Sequence, residues 1–260
     1  MINKFLQNRN RVQDLMKSSE FIMPLTHYDS DVEIEERKKT AKLRKVKFEN
    51  VPVCKKGQDS ISWLIDTEVE DCIFSLPPGV KTVDKTIAIF SCTTLYFIMI
   101  ELKSSLSAID AGLNEGGINE KIKDTISKIS SSIPLHVFKD KYKDVEQLKY
   151  ICIVCYNKDE VAFKIQESGF DGLDLNAEMF REYEKHIEAI DIENGVLQSP
   201  RKGPKTPVSI MDATNHMNKV DVYFIRNPDE QSQSMSVDLT QFLSHIADFE
   251  YCQYTEFTLP

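Results

Sequence analysis

The chain has 260 residues, 41% of them hydrophobic and 28% charged, with 32 Lys and Arg against 41 Asp and Glu for a formal net charge of −9. Those proportions suit a soluble globular protein of one large domain or two small ones, long enough to bury a core without disulfide staples. The negative balance excludes a protein that coats nucleic acid through its overall charge. The longest apolar run, Leu95 to Ile100, is strand-sized and far short of the roughly 18 residues that cross a bilayer. With no signal-peptide apolar region at the N-terminus, a cytoplasmic protein without membrane association is expected.

Phe5, Val12, Leu15 and Met16 recur at roughly helical spacing and predict a first amphipathic helix within residues 1–20. A charge-polarised stretch follows, with Asp29, Asp31, Glu33, Glu35 and Glu36 ahead of Arg37, Lys38, Lys39, Lys42, Arg44, Lys45 and Lys47. Such a switch of sign concentrates positive charge locally, as a phosphate-binding surface requires, and is also what a solvated, self-paired helix looks like. From residue 60 to 103 the chain reads as consecutive strands at 60–66, 70–76, 83–90 and 95–103, with Pro77, Pro78 and Gly79 forcing a turn between the second and third.

The period changes at residues 117–133, where Ile118, Ile122, Ile126, Ile129 and Ile133 form the clearest amphipathic helix, ended by Pro134. Asn119, Lys121, Lys123, Ser127, Lys128 and Ser130 occupy its other face, and Lys121, Lys123 and Lys128 are candidate substrate-binding residues there. Gly116 and Gly117 allow the turn into it. The run 148–156 predicts a buried strand. Asn176 is placed to cap a helix with the stripe Phe180, Tyr183, Ile187 and Ile190. Three prolines and a glycine mark 196–208 as a mobile loop, in which Arg201, Lys202 and Lys205 read as solvated or phosphate-facing cations. A strand at 220–226 and a helix at 239–249 complete the pattern. The organisation expected is a core over 1–160, including the N-terminal helix, and a C-terminal extension over 161–260 packed on it.

The six cysteines are scattered, and only Cys152 and Cys155 have zinc-like spacing. No second pair completes four ligands, and residues three apart on a strand point to opposite faces, so both are expected to be structural. The five histidines include no HExxH pair, and no GxxxxGK[ST] phosphate loop is present.

Chemistry concentrates in residues 82–103. Charged residues are depleted within buried strands, yet Glu101 and Lys103 close one and Asp84 opens its neighbour. If the connection is centred between Cys92 and Thr93, cross-strand partners have numbers summing to 185, a condition that Asp84 and Glu101 meet. Directly opposed Cβ atoms lie about 4.5–5.5 Å apart, where like charges need compensation. A divalent cation supplies it, and oxygen ligands suit Mg²⁺, with Mn²⁺ as a substitute. Strand alternation puts Lys103 on the face of Glu101 and leaves the Leu102 backbone carbonyl as a third ligand. Two carboxylates and an ammonium on one face are the parts that phosphodiester hydrolysis needs. The second Glu-x-Lys, Glu36-Arg37-Lys38, lies in a polar charge run with no opposing strand and acts as an internal control.

With these residues the sequence resembles the PD-(D/E)xK nuclease superfamily. Val83-Asp84 stands where that family has Pro-Asp, and Glu101-Leu102-Lys103 is its Glu-x-Lys element. The resemblance covers roughly residues 60 to 156. It implies an α/β fold with a restriction-endonuclease-like core, a central mixed sheet flanked by helices, followed here by an α/β extension. It further implies a Mg²⁺-dependent endonuclease acting on DNA, in restriction or antiviral defence, with Asp84 and Glu101 as metal ligands and Lys103 as the catalytic lysine. An additional acidic ligand would come from Glu20, Glu68 or Glu70. The −9 charge leaves two further readings open: a catalytically silent nuclease-like scaffold or binding subunit, and a nuclease that works as a homo-oligomer or with a partner subunit supplying DNA-binding charge.

Overall fold

Strict alternation in Lys85–Ser91 and Thr94–Leu106 builds the centre of the molecule. Ala88, Phe90, Leu95, Phe97 and Met99 pack on one side, and Ile87, Ile89, Tyr96, Ile98, Ile100 and Leu102 on the other. A strand buried on both faces reads as a continuous apolar run, which is how both appear in the sequence. The computed structural model describes residues 12, 14, 16, 21–36, 38–53, 61–67, 81–91, 94–106, 117–132, 147–159, 201–202, 208–211 and 217–244.

In chain order the strands are β1 (Ile22–Leu25), β2 (Val32–Glu35), β3 (Lys45–Glu49), β4 (Ser62–Ile65), β5 (Lys85–Ser91) and β6 (Thr94–Leu106). Helix α1 (Ile118–Ser132) leads to β7 (Gln147–Asp159), β8 (Arg201–Lys202), β9 (Val208–Met211), β10 (Met217–Arg226), β11 (Ser234–Asp238) and helix α2 (Leu239–Ser244). The fold is mixed α/β, with a mostly antiparallel central sheet of eight strands in the order β1-β4-β5-β6-β7-β10-β8, and β9 pairing β10. The β6–β7 and β7–β10 pairs are parallel. A three-stranded sheet, β11-β3-β2, lies apart from it. Thus β10 extends the central sheet and β11 joins the small one, so the chain beyond residue 160 contributes to both.

A parallel pair needs a crossover connection, and α1 lies in the one between β6 and β7. Gly117 enters it with φ 63°, a left-handed value that glycine adopts without steric cost. The isoleucine stripe Ile118, Ile122, Ile126 and Ile129 is buried against the central sheet together with Val12 and Met16 of the N-terminal helical segment. On the opposite face, Val32, Ile34, Val46, Phe48, Met235 and Val237 of the small sheet and Leu239, Phe242 and Leu243 of α2 pack against Ile98, Ile100, Ile153 and Ile225. The result is three layers: helix, central sheet, then small sheet with α2.

Several elements depart from the sequence reading. The charge-polarised stretch is self-paired, as expected of a solvated surface, but it is a β-hairpin rather than a helix. Its apolar residues alternate at period two, with Val32 and Ile34 inward on β2, Val46 and Phe48 inward on β3, and the charges outward. Cross-strand partners Glu33 with Lys47 and Glu35 with Lys45 put opposite charges side by side. Within the stretch expected as a mobile loop, Arg201–Lys202 pair with β10, and Val208 begins β9. The strand expected at 70–76 and the helix at 176–190 lie outside the described residues, as do Glu20, Glu68, Glu70 and Lys205. Among the described residues, no helix is long and apolar enough to cross a membrane.

Candidate active site

The β5–β6 register runs from Lys85 opposite Ile100 to Ser91 opposite Thr94, the pairing that the tight connection at Cys92 and Thr93 predicts. Asp84 directly precedes that ladder on one strand, and Glu101 directly follows it on the other. Glu101 belongs to the series Leu95, Phe97 and Met99 on the helix-facing side of the sheet, whereas Asp84 lies at a bend before β5, where Val83 joins the helix-side core. Both carboxylates are buried, Asp84 at 7% exposure and Glu101 at 1%.

Asp84 Oδ2 accepts a hydrogen bond of 2.6 Å from the Leu102 amide. In an extended strand the N–H and C=O of one residue point the same way, so the Leu102 carbonyl is directed toward the Asp84 side as well. Glu101 Oε1 receives two cations: Lys121 Nζ of α1 at 2.5 Å and Lys103 Nζ at 3.4 Å. Glu101 Oε2 is buried and has no hydrogen-bond partner. A buried carboxylate oxygen left unpaired is costly, and a cation is one of the few groups that offsets it.

The helix is locked over this strand end by a polar network. Thr125 Oγ1 donates to the Lys121 carbonyl at 2.7 Å and accepts from the Val83 amide at 2.9 Å. Thr67 Oγ1 donates to the Val83 carbonyl at 2.6 Å. Lys128, buried at 5% exposure, donates through Nζ to the Thr67 carbonyl at 2.5 Å, and the Lys81 amide donates to Asp124 Oδ2 at 3.1 Å. Val83 and Asp84 are therefore held from both sides before β5 begins. Lys85 Nζ pairs with Asp66 Oδ1 at 2.6 Å and aligns the adjacent β4 end.

The three lysines expected to meet substrate are placed differently from one another. Lys121 is engaged with Glu101, Lys123 is exposed, and Lys128 is buried beneath the helix rather than on its solvent face. The contact of Lys121 with Glu101 and the Thr125–Thr67 bridge were not foreseen. The signal available for Thr125 was its spacing of four from Lys121, which stacks the two on one helix face.

Cys152 and Cys155 are free, fully buried and on opposite faces of β7, one in each core. They cannot share a metal ion. Burial, then the charge of Glu101, pushes the Cys152 thiol well up, against an opposing pull from Lys121. Burial, then Asp84, pushes Cys155 up likewise. Neither is a nucleophile at neutral pH. Among the described residues, no three His, Cys, Asp or Glu side chains group together as metal ligands. The oxygens of Asp84, Glu101 and the Leu102 main chain are of the type that suits Mg²⁺, which keeps several waters and takes one or two protein carboxylates.

The chain matches no family model, no curated protein and no solved structure.

Proposed function

We propose that this protein is a metal-dependent nuclease that hydrolyses DNA phosphodiester bonds, with a core of the restriction-endonuclease-like kind and a role in restriction or antiviral defence. The observation that carries this reading is the buried Glu101 carboxylate with its unpartnered Oε2 and Lys103 beside it, next to a buried Asp84 carboxylate held on the Leu102 amide. The β4–β5–β6 meander, the α1 crossover and parallel β7 support it, since their order is the one that the PD-(D/E)xK resemblance implies.

In this reading Asp84, Glu101 and the Leu102 carbonyl hold Mg²⁺. When bound, Mg²⁺ supplies Lewis-acid polarisation of the phosphate and a lowered pKa for the attacking water. Lys103 orients that water and offsets the charge that develops on the phosphate oxygens. Lys121 fixes the Glu101 carboxylate through Oε1, leaving Oε2 turned to its other side. Lys123, exposed on the same helix, is available to a substrate phosphate.

A second reading has its own support. Lys103 and Lys121 both approach Glu101 Oε1, so the site holds as many ammonium groups as carboxylates without any metal. A charge-balanced cluster of this kind suits a silent nuclease-like scaffold or the binding subunit of a larger complex. Incubation with plasmid DNA and Mg²⁺ separates the two. The nuclease reading expects cleavage by the wild type, and a rate reduced about 10²–10⁴-fold by Lys103→Ala, the usual scale for a lost proton-transfer group. Asp84→Asn is expected to remove cleavage as well. Undiminished cleavage in both variants would overturn the assignment, and no cleavage by the wild type would favour the scaffold.

A further inference from the structure

We propose that the β2–β3 connection, residues 38–44, is a docking surface for duplex DNA that grips the phosphate backbone at the end of β6. Lys38, Lys39, Lys42 and Arg44 are all exposed there. Among the described residues, none of these four side chains takes part in an ion pair. The next cations of the same basic run differ: Lys45 pairs with Glu33 at 2.5 Å, and Lys47 with Asp31 at 2.8 Å and Glu49 at 3.1 Å. A paired cation must give up its partner to meet a phosphate, whereas an exposed unpaired one exchanges only water and counterions.

The connection is held in place rather than free to swing. Ala41 and Leu43 are buried, at 9% and 0% exposure. The Glu36 amide donates to the Arg44 carbonyl at 2.9 Å, the Arg44 amide to the Gln233 carbonyl at 2.8 Å, and the Ala41 amide to the Lys38 carbonyl at 3.0 Å. One further bond fixes where the charge sits: the Lys42 amide donates to Ser104 Oγ at 2.8 Å. Ser104 directly follows Lys103 and lies three residues beyond Glu101, about 10 Å along the strand. By alternation Ser104 faces the small-sheet side and Glu101 the helix side, so the cations and the Glu101 carboxylate flank one strand end from opposite faces.

Duplex DNA carries one negative charge per about 1.7 Å of axis, so about 10 Å of it presents roughly six charges. A duplex lying across this surface would therefore offer more than enough phosphates for the four exposed cations. A protein with a net charge of −9 needs such a local patch, because its overall field repels the ligand. The inference rests on the nuclease reading only for the choice of DNA as the polyanion, and its test involves no catalysis.

The test is the anisotropy of a fluorescein-labelled DNA duplex in EDTA, over a series of KCl concentrations. Wild type is compared with the combined Lys38→Gln, Lys39→Gln, Lys42→Gln, Arg44→Gln variant and with a Lys45→Gln, Lys47→Gln control, each checked for folding by thermal melting. The fourfold variant is expected to bind at least tenfold more weakly at low salt. Its log–log salt slope should be shallower by about 0.9 for each phosphate that the variant no longer neutralises. The control is expected to keep the wild-type slope. Equal slopes for wild type and the fourfold variant, an equal loss in the control, or no duplex binding by wild type would each overturn the proposal, as would tighter binding of an RNA duplex of the same sequence. A fourfold variant that fails to bind, alongside a wild type that never cleaves in Mg²⁺, would keep this surface and remove the nuclease. Unchanged binding by the fourfold variant of a cleaving enzyme would do the reverse.

Discussion

The Glu101 cluster and the β2–β3 hairpin are built from the same residue types, carboxylates beside ammonium groups, at opposite degrees of burial. Glu101 is sealed under α1, and its side chain is 2% exposed where it meets Lys121. Glu33 and Lys45, at 49% and 38%, meet in open solvent. Solvent screens the second pair and offers each member an alternative partner, so its geometry adds little to stability. The Glu101 end of the first pair is shut off from solvent, and its other cation is Lys103 at 3.4 Å. A charge kept at that depth, with one oxygen unpartnered, is a cost that a purely structural strand end has no need to carry.

Removing a partner from each pair sharpens the contrast. Lys121→Met should destabilise the protein by about 2–3 kcal/mol in urea denaturation with EDTA present, below the 3–5 of a fully buried pair because the Lys121 end is partly hydrated. A loss under about 1 kcal/mol would mean that Glu101 is compensated otherwise. A double-mutant cycle on Glu33 and Lys45 should give a coupling of at most about 1 kcal/mol, falling further with added salt.

The smallest effect is local to the β1–β2 turn. The Thr26 amide and hydroxyl both donate to Asp29 Oδ2 at 2.7 Å and hold that carboxyl below its ordinary range. Because the folded-state pKa is the lower one, the stability contributed is present above the unfolded-state pKa and is lost as pH falls through the folded-state value. Thr26→Val removes the hydroxyl donor and should raise the Asp29 midpoint in an NMR titration. An unchanged midpoint would refute the assignment of cause.

The parts legible in the sequence were those with long periodic signals. The β5–β6 hairpin, α1, β7 and β10 each carry an apolar pattern long enough to fix their type. The two-residue interval between Ser91 and Thr94 fixed the β5–β6 register, Lys85 opposite Ile100 through Ser91 opposite Thr94. The small sheet was not legible, because β2 and β3 are four and five residues long, with outward charges that mimic a polar helix. Their partner β11 pairs from the far end of the chain, Val237 against Phe48, and no local pattern announces so distant a neighbour. Lys128 was hidden for a related reason: helical periodicity gives the angle at which a side chain leaves the axis, not the Thr67 carbonyl that its ammonium reaches. The Lys42–Ser104 bond likewise joins segments 62 residues apart.

Whether Asp84 and Glu101 share a divalent cation is decided by a crystal structure of the protein soaked in Mn²⁺, read by anomalous scattering. A single strong peak is expected between the two carboxylates, about 2.0–2.1 Å from an oxygen of each, the Mg²⁺–oxygen range. Glu101 Oε2 should be among the ligands. Saturating Mn²⁺ with no peak at that position, and Lys121 still the closest cation to Glu101, would contradict a shared cation.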